Sequence, residues 1–297
     1  MKLSIGYLTS RTRHHIEWMI DSLFRQKQPD DEIEVILIDG ISEHSFNADF
    51  TRYRHVIAKP NVWGGKHRLT KDNWWSKSNS ANTFLCLAKH PFIAFLDDRC
   101  VLMPGWLNSV KEAIAGNYIM AGAYAKRHNL VVENGGITDF GTLQAEDARV
   151  KSTRGQPIPC PGEWLFGCNL AMPLEWLLDV NGYPEKADGM SFEDCLLGLV
   201  LQNNKFPMKF DPRAMMIEDR TPGQLGEPMK RSSKEKHPHD VNDKAHTLLR
   251  WARTAKRCEN PFEIRELREK IQKGESFPIP NDSEAKDWFD GQLVRDF

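Results

Sequence analysis

The chain has 297 residues, which is enough for one large α/β domain or for one domain with a helical extension. Hydrophobic residues make up 40% and charged residues 27%, a composition that excludes disorder as a description of the whole chain. The formal net charge of −1 excludes a protein that coats polyanions with its entire surface. No run of about 18 apolar residues occurs, and the N-terminus leads directly into an apolar strand, so we expect neither a membrane span nor a signal peptide.

The cysteines indicate neither a disulfide framework nor a zinc site, because no two of them have the Cys-X-X-Cys spacing. Most lie in apolar runs, so we expect reduced, buried thiols in a cytoplasmic protein. The six positions are Cys86, Cys100, Cys160, Cys168, Cys195 and Cys258.

The first forty residues predict a βαβ unit. Residues 3–8 have the pattern of an apolar strand, and residues 32–38 form a second strand that ends in Asp39. Four apolar residues between them recur with the spacing of an amphipathic helix: Ile16, Met19, Ile20 and Leu23. A βαβ unit implies a parallel sheet, and such sheets bind their ligands at the carboxyl ends of the strands.

The middle of the chain continues this alternation. Residues 81–89 and 106–115 have helical patterns, whereas residues 91–96 and 118–124 read as buried strands. Residues 127–162 are rich in glycine and polar side chains, so we expect an irregular segment there, of the kind that is often functional.

Regular structure is expected again in the last part of the core. Residues 174–180 and 194–202 predict helices, and residues 207–217 predict a strand. The composition then becomes polar and basic. We therefore divide the chain into a core at residues 1–222 and a lid or linker with a C-terminal helical extension at residues 223–297.

Two adjacent carboxylates, Asp97 and Asp98, follow the buried strand at residues 91–96. Unpaired buried carboxylates are costly, so such a pair holds a metal ion, meets a cation or reaches solvent in a cleft. A purely structural alternative is that one of them caps the next helix, because aspartate is a preferred N-cap residue.

Six short motifs follow one another along the chain: Ile38-Asp39-Gly40, Ser80-Ala81-Asn82, Phe95-Leu96-Asp97-Asp98, Gly167-Cys168-Asn169-Leu170-Ala171, Asn181-Gly182-Tyr183-Pro184-Glu185 and Phe192-Glu193-Asp194. In order and spacing, over residues 3–220, they resemble the family-2-like GT-A glycosyltransferases. The resemblance implies a nucleotide-sugar-dependent glycosyltransferase of the α/β class. Its fold would be a GT-A-type, Rossmann-like mixed and mainly parallel sheet flanked by helices, with a C-terminal helical extension.

The resemblance also implies a site for a nucleotide-sugar donor, with a UDP-sugar expected. The turn that begins at Thr9 would cradle the nucleotide, and the Asp39 carboxylate would accept a hydrogen bond from the base. Turn chemistry before a glycine is the alternative for Asp39. The residues implied for this site are Thr9, Ser10, Arg11, Asp39, Lys77, Asn82, Asp97 and Arg99.

Asp194 corresponds in the resemblance to the catalytic base of an inverting enzyme, with Glu193 beside it. The base would take a proton from an acceptor hydroxyl as that oxygen attacks the anomeric carbon from the face opposite the nucleotide. The structural alternative is helix capping, because acidic residues favour the first turn of a helix.

A divalent cation, Mn²⁺ or Mg²⁺, is implied at the acidic motif, where it would stabilise the departing nucleotide. Asp97, Asp98 and Asp219 are the expected ligands, but Arg99 stands where the family has its last carboxylate. Either the remaining carboxylates hold the metal, or the Arg99 guanidinium meets the diphosphate itself. Three histidines are further candidate ligands: His237, His239 and His246.

The acceptor is implied to face Trp164, Gly167 and Asn169, where a tryptophan could stack on a sugar or simply belong to the core. A saccharide is the general expectation. The loop at residues 59–77 interleaves basic side chains with tryptophans, and residues 230–239 are also basic, which would suit DNA with a hydroxymethylated base. A solvated loop is the plain alternative.

Two other functions compete with glycosyl transfer. A nucleotidyltransferase would share the sheet and the paired acids, but it usually has a glycine-rich loop after the first strand, and none occurs here. A non-catalytic relative that binds nucleotide sugars is supported only by Arg99 in the acidic motif.

Overall fold

A computed structural model of the chain describes residues 1–11, 13–40, 51–61, 76–188, 192–222 and 248–279. The strands are β1 (Lys2–Thr9), β2 (Glu32–Asp39), β3 (Arg54–Ile57), β4 (Phe92–Asp97), β5 (Cys100–Leu102), β6 (Ile119–His128), β7 (Val131–Glu133), β8 (Gly136–Asp139), β9 (Thr142–Glu146), β10 (Ile158–Pro159), β11 (Asn169–Pro173) and β12 (Met208–Asp219). The helices are α1 (Ile16–Phe24), α2 (Lys77–Leu87), α3 (Trp106–Gly116), α4 (Leu174–Asp179), α5 (Glu193–Asn203) and α6 (Ile264–Gln272).

Ten of the described strands form one sheet in the order β10-β12-β6-β11-β4-β1-β2-β3, with β5 paired to β12 and β9 to β6. β1 runs parallel to β2 and β4, β2 is parallel to β3, and β6 is parallel to β12. β11 lies antiparallel between β4 and β6. This architecture confirms the predicted α/β class with a mixed, mainly parallel sheet.

The order of the strands reverses beside β1. The chain passes from β1 to β2 on one side and later returns through α2 to β4 on the other side. Register pairs Leu8 with Asp97 and Thr9 with Asp39, so three strands end side by side. In an α/β sheet, a crevice opens at such a switch point beyond the carboxyl ends of the strands.

Helices cover both faces of the sheet, and their apolar stripes form two main cores. On one face, α1 and α3 bury Met19, Leu23 and Trp106. On the other face, α2, α4, α5 and α6 bury a second set that includes Phe84 and Leu197. Among the helices that the structure describes, none is long and apolar enough to cross a membrane.

The described part of the predicted C-terminal extension packs directly on the core. Ile264 and Leu267 of α6 join the same cluster as α2. The Arg268 guanidinium donates a hydrogen bond of 2.7 Å to the carbonyl of Leu85, which fixes α6 along α2. Residues 248–252 are helical and pack against α5.

The segment at residues 127–162 differs from its prediction. It was expected to be irregular, but β7 and β8 form a two-stranded sheet and β9 adds to β6. These strands are short and largely exposed, so they lack the apolar runs by which buried strands are recognised. Gly135 and Gly141 adopt positive φ angles in the connecting turns, where they have little steric cost.

All six cysteines fall within the described residues, and all are free thiols. Four of them are buried: Cys86, Cys100, Cys168 and Cys258. Burial raises the pKa of each of these thiols, which therefore stay protonated and unreactive near neutral pH.

Candidate active site

Thr9, Arg11 and Asp98 meet at the switch point. The Thr9 hydroxyl donates a hydrogen bond of 2.7 Å to Asp98 Oδ2 and accepts one of 3.1 Å from the backbone N–H of Arg11. The Arg11 guanidinium forms an ion pair with Asp98 Oδ1. Burial raises the pKa of Asp98, and the Arg11 charge opposes that rise. The predicted nucleotide turn and the acidic motif are therefore in direct contact.

Lys77, the first residue of α2, extends into the same crevice. Its Nζ lies 2.8 Å from Asp97 Oδ1 and 3.9 Å from Glu193 Oε1. Burial alone would lower the pKa of Lys77, but the Asp97 and Glu193 carboxylates raise it well above its usual value. Burial likewise works to raise the pKa of Asp97, yet the Lys77 charge holds that pKa below its usual value. The pair is therefore ionised at neutral pH.

The first turn of α5 brings the predicted base to this crevice. Asp194 Oδ2 accepts a hydrogen bond of 2.7 Å from the backbone N–H of Gly167. A Cβ atom on Gly167 would lie 3.2 Å from Lys77 Nζ and 3.3 Å from Asp194 Cβ, so only glycine fits there without displacing a neighbour. Burial raises the pKa of Glu193 to about 7, although the Lys77 charge works against that rise.

The capping alternatives have different outcomes at the two acidic pairs. The residues after Asp98 lead into β5, and the next helix has Gly105 as its N-cap, so neither carboxylate of that pair caps a helix. Glu193 and Asp194, in contrast, lie in the first turn of α5, where Asp194 Oδ1 accepts a hydrogen bond of 2.8 Å from the backbone N–H of Cys195. Stabilisation of the helix start therefore stays an alternative for this pair.

A buried acid that the sequence did not single out fixes the start of α2. Asp188 accepts hydrogen bonds from the backbone N–H groups of Ser78 at 2.6 Å and Asn79 at 3.0 Å. Burial raises the pKa of Asp188 well above its usual value. These bonds hold the first turn of α2, and with it the backbone of Lys77. No sequence signal could link them, because 110 residues separate Ser78 from Asp188.

Arg99 and Asp219 do not face the crevice but bind each other. Arg99 has a φ of 58° and a fully buried side chain, and its guanidinium pairs with the Asp219 carboxylate. The other carboxylate oxygen of Asp219 accepts hydrogen bonds from Thr221. This arrangement does not support the predictions that Arg99 meets a diphosphate and that Asp219 binds a metal, because the two charges already neutralise each other.

The side-chain amide of Asn82 is used inside the protein. It accepts a hydrogen bond of 2.8 Å from the backbone N–H of Tyr183, and it donates to the Tyr183 carbonyl at 3.0 Å and to Glu185 Oε1 at 2.8 Å. The side chain is fully buried. Asn82 thus links α2 to the turn at Gly182. Its amide is engaged by these partners and does not line a ribose or diphosphate site as predicted.

Two of the three predicted acceptor residues also belong to the core. Asn169 accepts a 2.8 Å hydrogen bond from Trp106 Nε1 and donates to the carbonyls of Ala123 and Ala214, so its amide is fully engaged. Trp164 is half-buried and packs edge-to-face on Phe210, with 5.8 Å between ring centroids. Of the predicted set, Gly167 contacts the candidate base, through its backbone N–H.

Asp39 and Ser10 flank the crevice on the β2 side. The Asp39 carboxylate is buried and lies 3.3 Å from His55 Nε2. Ser10 is half-buried between Thr9 and Arg11. Both positions are compatible with the predicted nucleotide cradle, and their roles remain predictions.

The residues present do not fit a preformed divalent metal site. Asp97 is paired with Lys77, Asp98 with Arg11, and Asp219 with Arg99. Across residues 1–40, 51–61, 76–222 and 248–279, apart from residues 12 and 189–191, no three acidic, histidine or cysteine side chains cluster as ligands. Glu218 Oε1 lies 2.6 Å from Arg220 Nε, but neither buried oxygen of Glu218 accepts a hydrogen bond from the described part of the chain, and burial raises the pKa of this carboxyl to about 7.

Some predicted features lie outside the described residues. They comprise most of the aromatic and basic loop at residues 59–77, the basic stretch at residues 230–239, and the three candidate histidine ligands His237, His239 and His246.

Comparison with known proteins points to the same family as the sequence motifs. A family model described as glycosyl transferase family 2 matches residues 11–165. A comparison with curated proteins gives no match.

Two solved structures resemble the fold. S. aureus TarS 1-349 in complex with UDP-GlcNAc has 16% identity and a TM-score of 0.55, over 84% of this chain and 65% of that chain. GalNAc-T7 with UDP, GalNAc and Mn²⁺ has 11% identity and a TM-score of 0.59, over 98% of this chain and 54% of that chain. The chain thus spans less than two thirds of either structure. Together with the observed sheet, these likenesses confirm the predicted GT-A type of fold.

Proposed function

The chain belongs to glycosyl transferase family 2, and we propose that it transfers a sugar from a UDP-sugar to an acceptor hydroxyl with inversion at the anomeric carbon. The observation that carries the proposal is the meeting of Asp97, Lys77, Gly167 and Asp194 in one crevice at the carboxyl ends of the strands. The fold neighbours with bound UDP-GlcNAc or UDP support the choice of a uridine nucleotide.

The donor would lie across the ends of β1, β2 and β4. In this arrangement the turn at Thr9, Ser10 and Arg11 holds the nucleotide, and Asp39 accepts a hydrogen bond from the base. The support is positional, because Thr9 and Asp39 are register neighbours at the switch point.

Asp194 would act as the general base. Its carboxylate accepts a hydrogen bond from the Gly167 N–H, which orients it from the loop before β11. It would take the proton of the acceptor hydroxyl while that oxygen bonds to the anomeric carbon and the bond to the nucleotide breaks. The acceptor that we propose is a saccharide. A hydroxymethylated DNA base is the other acceptor to test.

The test is UDP release by the purified chain supplied with UDP-glucose or UDP-GlcNAc and a panel of saccharides and hydroxymethylated DNA, with the anomeric configuration of the product read by NMR. Asp194→Asn is expected to lower turnover about 10²- to 10⁴-fold while leaving UDP affinity within about threefold. Asp179→Asn, which changes an exposed aspartate on α4, is the control and should retain full turnover.

Two results would contradict the proposal. UDP binding without turnover on any acceptor would favour a non-catalytic relative. Release of pyrophosphate in place of UDP would favour a nucleotidyltransferase.

A further inference from the structure

Both carboxylates that end β4 are already neutralised by cations of the chain. Lys77 Nζ lies 2.8 Å from Asp97 Oδ1, and the Arg11 guanidinium is paired with Asp98 Oδ1. A divalent ion needs these same oxygens, because Mg²⁺ and Mn²⁺ prefer carboxylate and phosphate ligands. To bind here, such an ion would have to displace a lysine and an arginine from partly buried positions.

Asp219, the last residue of β12, offers no replacement ligand. Asp219 is paired with Arg99, and its second oxygen accepts hydrogen bonds from Thr221. Breaking a buried ion pair to release one carboxylate is strongly unfavourable. Arg99 thus occupies the position of the missing acid and also removes Asp219 from the crevice.

We propose that this site binds the donor diphosphate without a divalent cation and that Lys77, with Arg11 beside it, supplies the positive charge; this inference rests on the proposed function. Lys77 lies in the crevice of the candidate base, since a Cβ on Gly167 would be 3.2 Å from Lys77 Nζ and 3.3 Å from Asp194 Cβ. The ammonium is therefore within the reacting region.

The chemistry needs one cation that remains charged throughout the transfer. The bond between the anomeric carbon and the phosphate oxygen breaks with its electron pair on the phosphate, while the acceptor oxygen bonds to the carbon and its proton moves to Asp194. Negative charge grows on the leaving diphosphate, and a lysine or arginine can stabilise it in a site from which water is excluded. Lys77 can donate to the diphosphate without leaving Asp97, because its ammonium carries three N–H donors.

The experiment is calorimetric titration of UDP into the full chain, in excess EDTA and in Mn²⁺, with turnover measured in parallel. We expect UDP affinity and turnover in EDTA to lie within about threefold of the values in Mn²⁺. Lys77→Met should weaken UDP binding in EDTA about 10- to 100-fold, as expected for the loss of a charged hydrogen bond. Lys77→Arg should retain most of the affinity.

Lys111→Met is the matched control, because Lys111 Nζ lies 2.8 Å from an Asp31 carboxylate that precedes β2, at the opposite edge of the sheet. It should leave UDP affinity and turnover unchanged. If Lys77→Met fails to fold because Asp97 loses its partner, the double variant Lys77→Met/Asp97→Asn removes both charges and is tested in the same way.

UDP binding or turnover that appears only with Mn²⁺ overturns the inference and leaves the proposed function intact. Unchanged UDP affinity in the folded single or double variant also overturns it. Absence of UDP binding in both EDTA and Mn²⁺ overturns the proposed function, and the inference with it.

Discussion

The guanidinium of Arg99 and the carboxylate of Asp219 form an ion pair that is almost completely shielded from solvent. Their backbones are also joined, because the N–H of Asp219 donates a hydrogen bond of 3.0 Å to the carbonyl of Arg99. Arg99 N–H donates in addition to Tyr7 Oη at 2.7 Å and to the His14 carbonyl at 2.9 Å. This pair therefore joins the segments that follow β1 and β4 to the end of β12, beside the candidate site.

Removal of Arg99 should destabilise the protein strongly. Arg99→Met leaves the Asp219 carboxylate buried without its counter-charge, and we expect the free energy of unfolding to fall by about 3–5 kcal/mol. Urea denaturation measures this loss.

Neutralising Asp219 as well should recover part of the stability lost in Arg99→Met. We expect Arg99→Met/Asp219→Asn to be more stable than Arg99→Met alone, because the amide leaves no unpaired charge and still accepts from Thr221. Arg257→Met, which breaks an exposed pair with Glu263, is the control and should cost less than about 1 kcal/mol. A double variant as unstable as the single one would contradict the pairing.

The free energy of unfolding should depend on pH through the titration of Glu193. Its pKa is raised by burial from 4.5 to about 7. The folded state therefore holds this proton more tightly than the unfolded chain does. The stability from that protonation is complete below pH 4.5 and is lost as the pH rises through 7.

Glu193→Gln removes this titration, so the variant should gain stability relative to the native chain as the pH rises from 4.5 to 8. The expected relative gain is on the order of 3 kcal/mol. Urea denaturation at several pH values measures it, and Glu175→Gln on the exposed side of α4 serves as the control. A constant difference between variant and native chain would show that Glu193 does not titrate in this range.

The α/β order could be predicted from the sequence because buried parallel strands are continuous apolar runs. The runs at residues 3–8, 32–38 and 91–96 correspond to β1, β2 and β4 almost to the residue. The strands within residues 127–162 could not be recognised, since each is short and exposed. β11 was missed because its residues were read only as part of an acceptor motif.

For the candidate site, the sequence predicted the position of the carboxylates but not the partners of every polar side chain. Asp97, Asp98 and Asp194 lie together because motifs at the carboxyl ends of strands share one edge of the sheet. Which way a polar side chain points depends on partners distant in sequence. Asn82 faces Tyr183, 101 residues away, and Arg99 faces Asp219, 120 residues away. The sequence alone does not show whether an asparagine in a motif faces a ligand or the core.

A substitution of Asn82 tests whether this side chain serves the core or the ligand. Asn82→Ala should lower the free energy of unfolding by about 2–4 kcal/mol, because the N–H of Tyr183 and a Glu185 oxygen lose buried partners. The affinity for UDP should remain within about threefold at a temperature where the variant is folded. Calorimetry and urea denaturation on the same sample measure both quantities.

Asn203→Ala is a suitable comparison, because Asn203 donates hydrogen bonds to the carbonyls of Ala252 and Ala255 outside the candidate site. It should also cost stability and leave UDP affinity unchanged. A large loss of UDP affinity in Asn82→Ala alone would restore the sequence prediction that this residue lines the ribose or diphosphate.

Gly167 should be more important for turnover than for folding. The methyl group of Gly167→Ala would lie 3.2 Å from Lys77 Nζ and 3.3 Å from Asp194 Cβ, both closer than ordinary contact. The flexible end of Lys77 can move aside, so we expect the free energy of unfolding to change by less than about 1 kcal/mol. Displacing the ammonium or the base by a fraction of an ångström should lower kcat about 10- to 100-fold.

Turnover assays and urea denaturation of Gly167→Ala test this separation. Gly155→Ala is the control, for which we expect the opposite pattern. Its added methyl meets no atom within 4 Å, but Gly155 has a φ of +78°, so alanine strains the backbone there. That variant should lose stability and keep its kcat. Equal kcat values for Gly167→Ala and the native chain would mean that Lys77 and Asp194 do not have to hold their observed positions for catalysis.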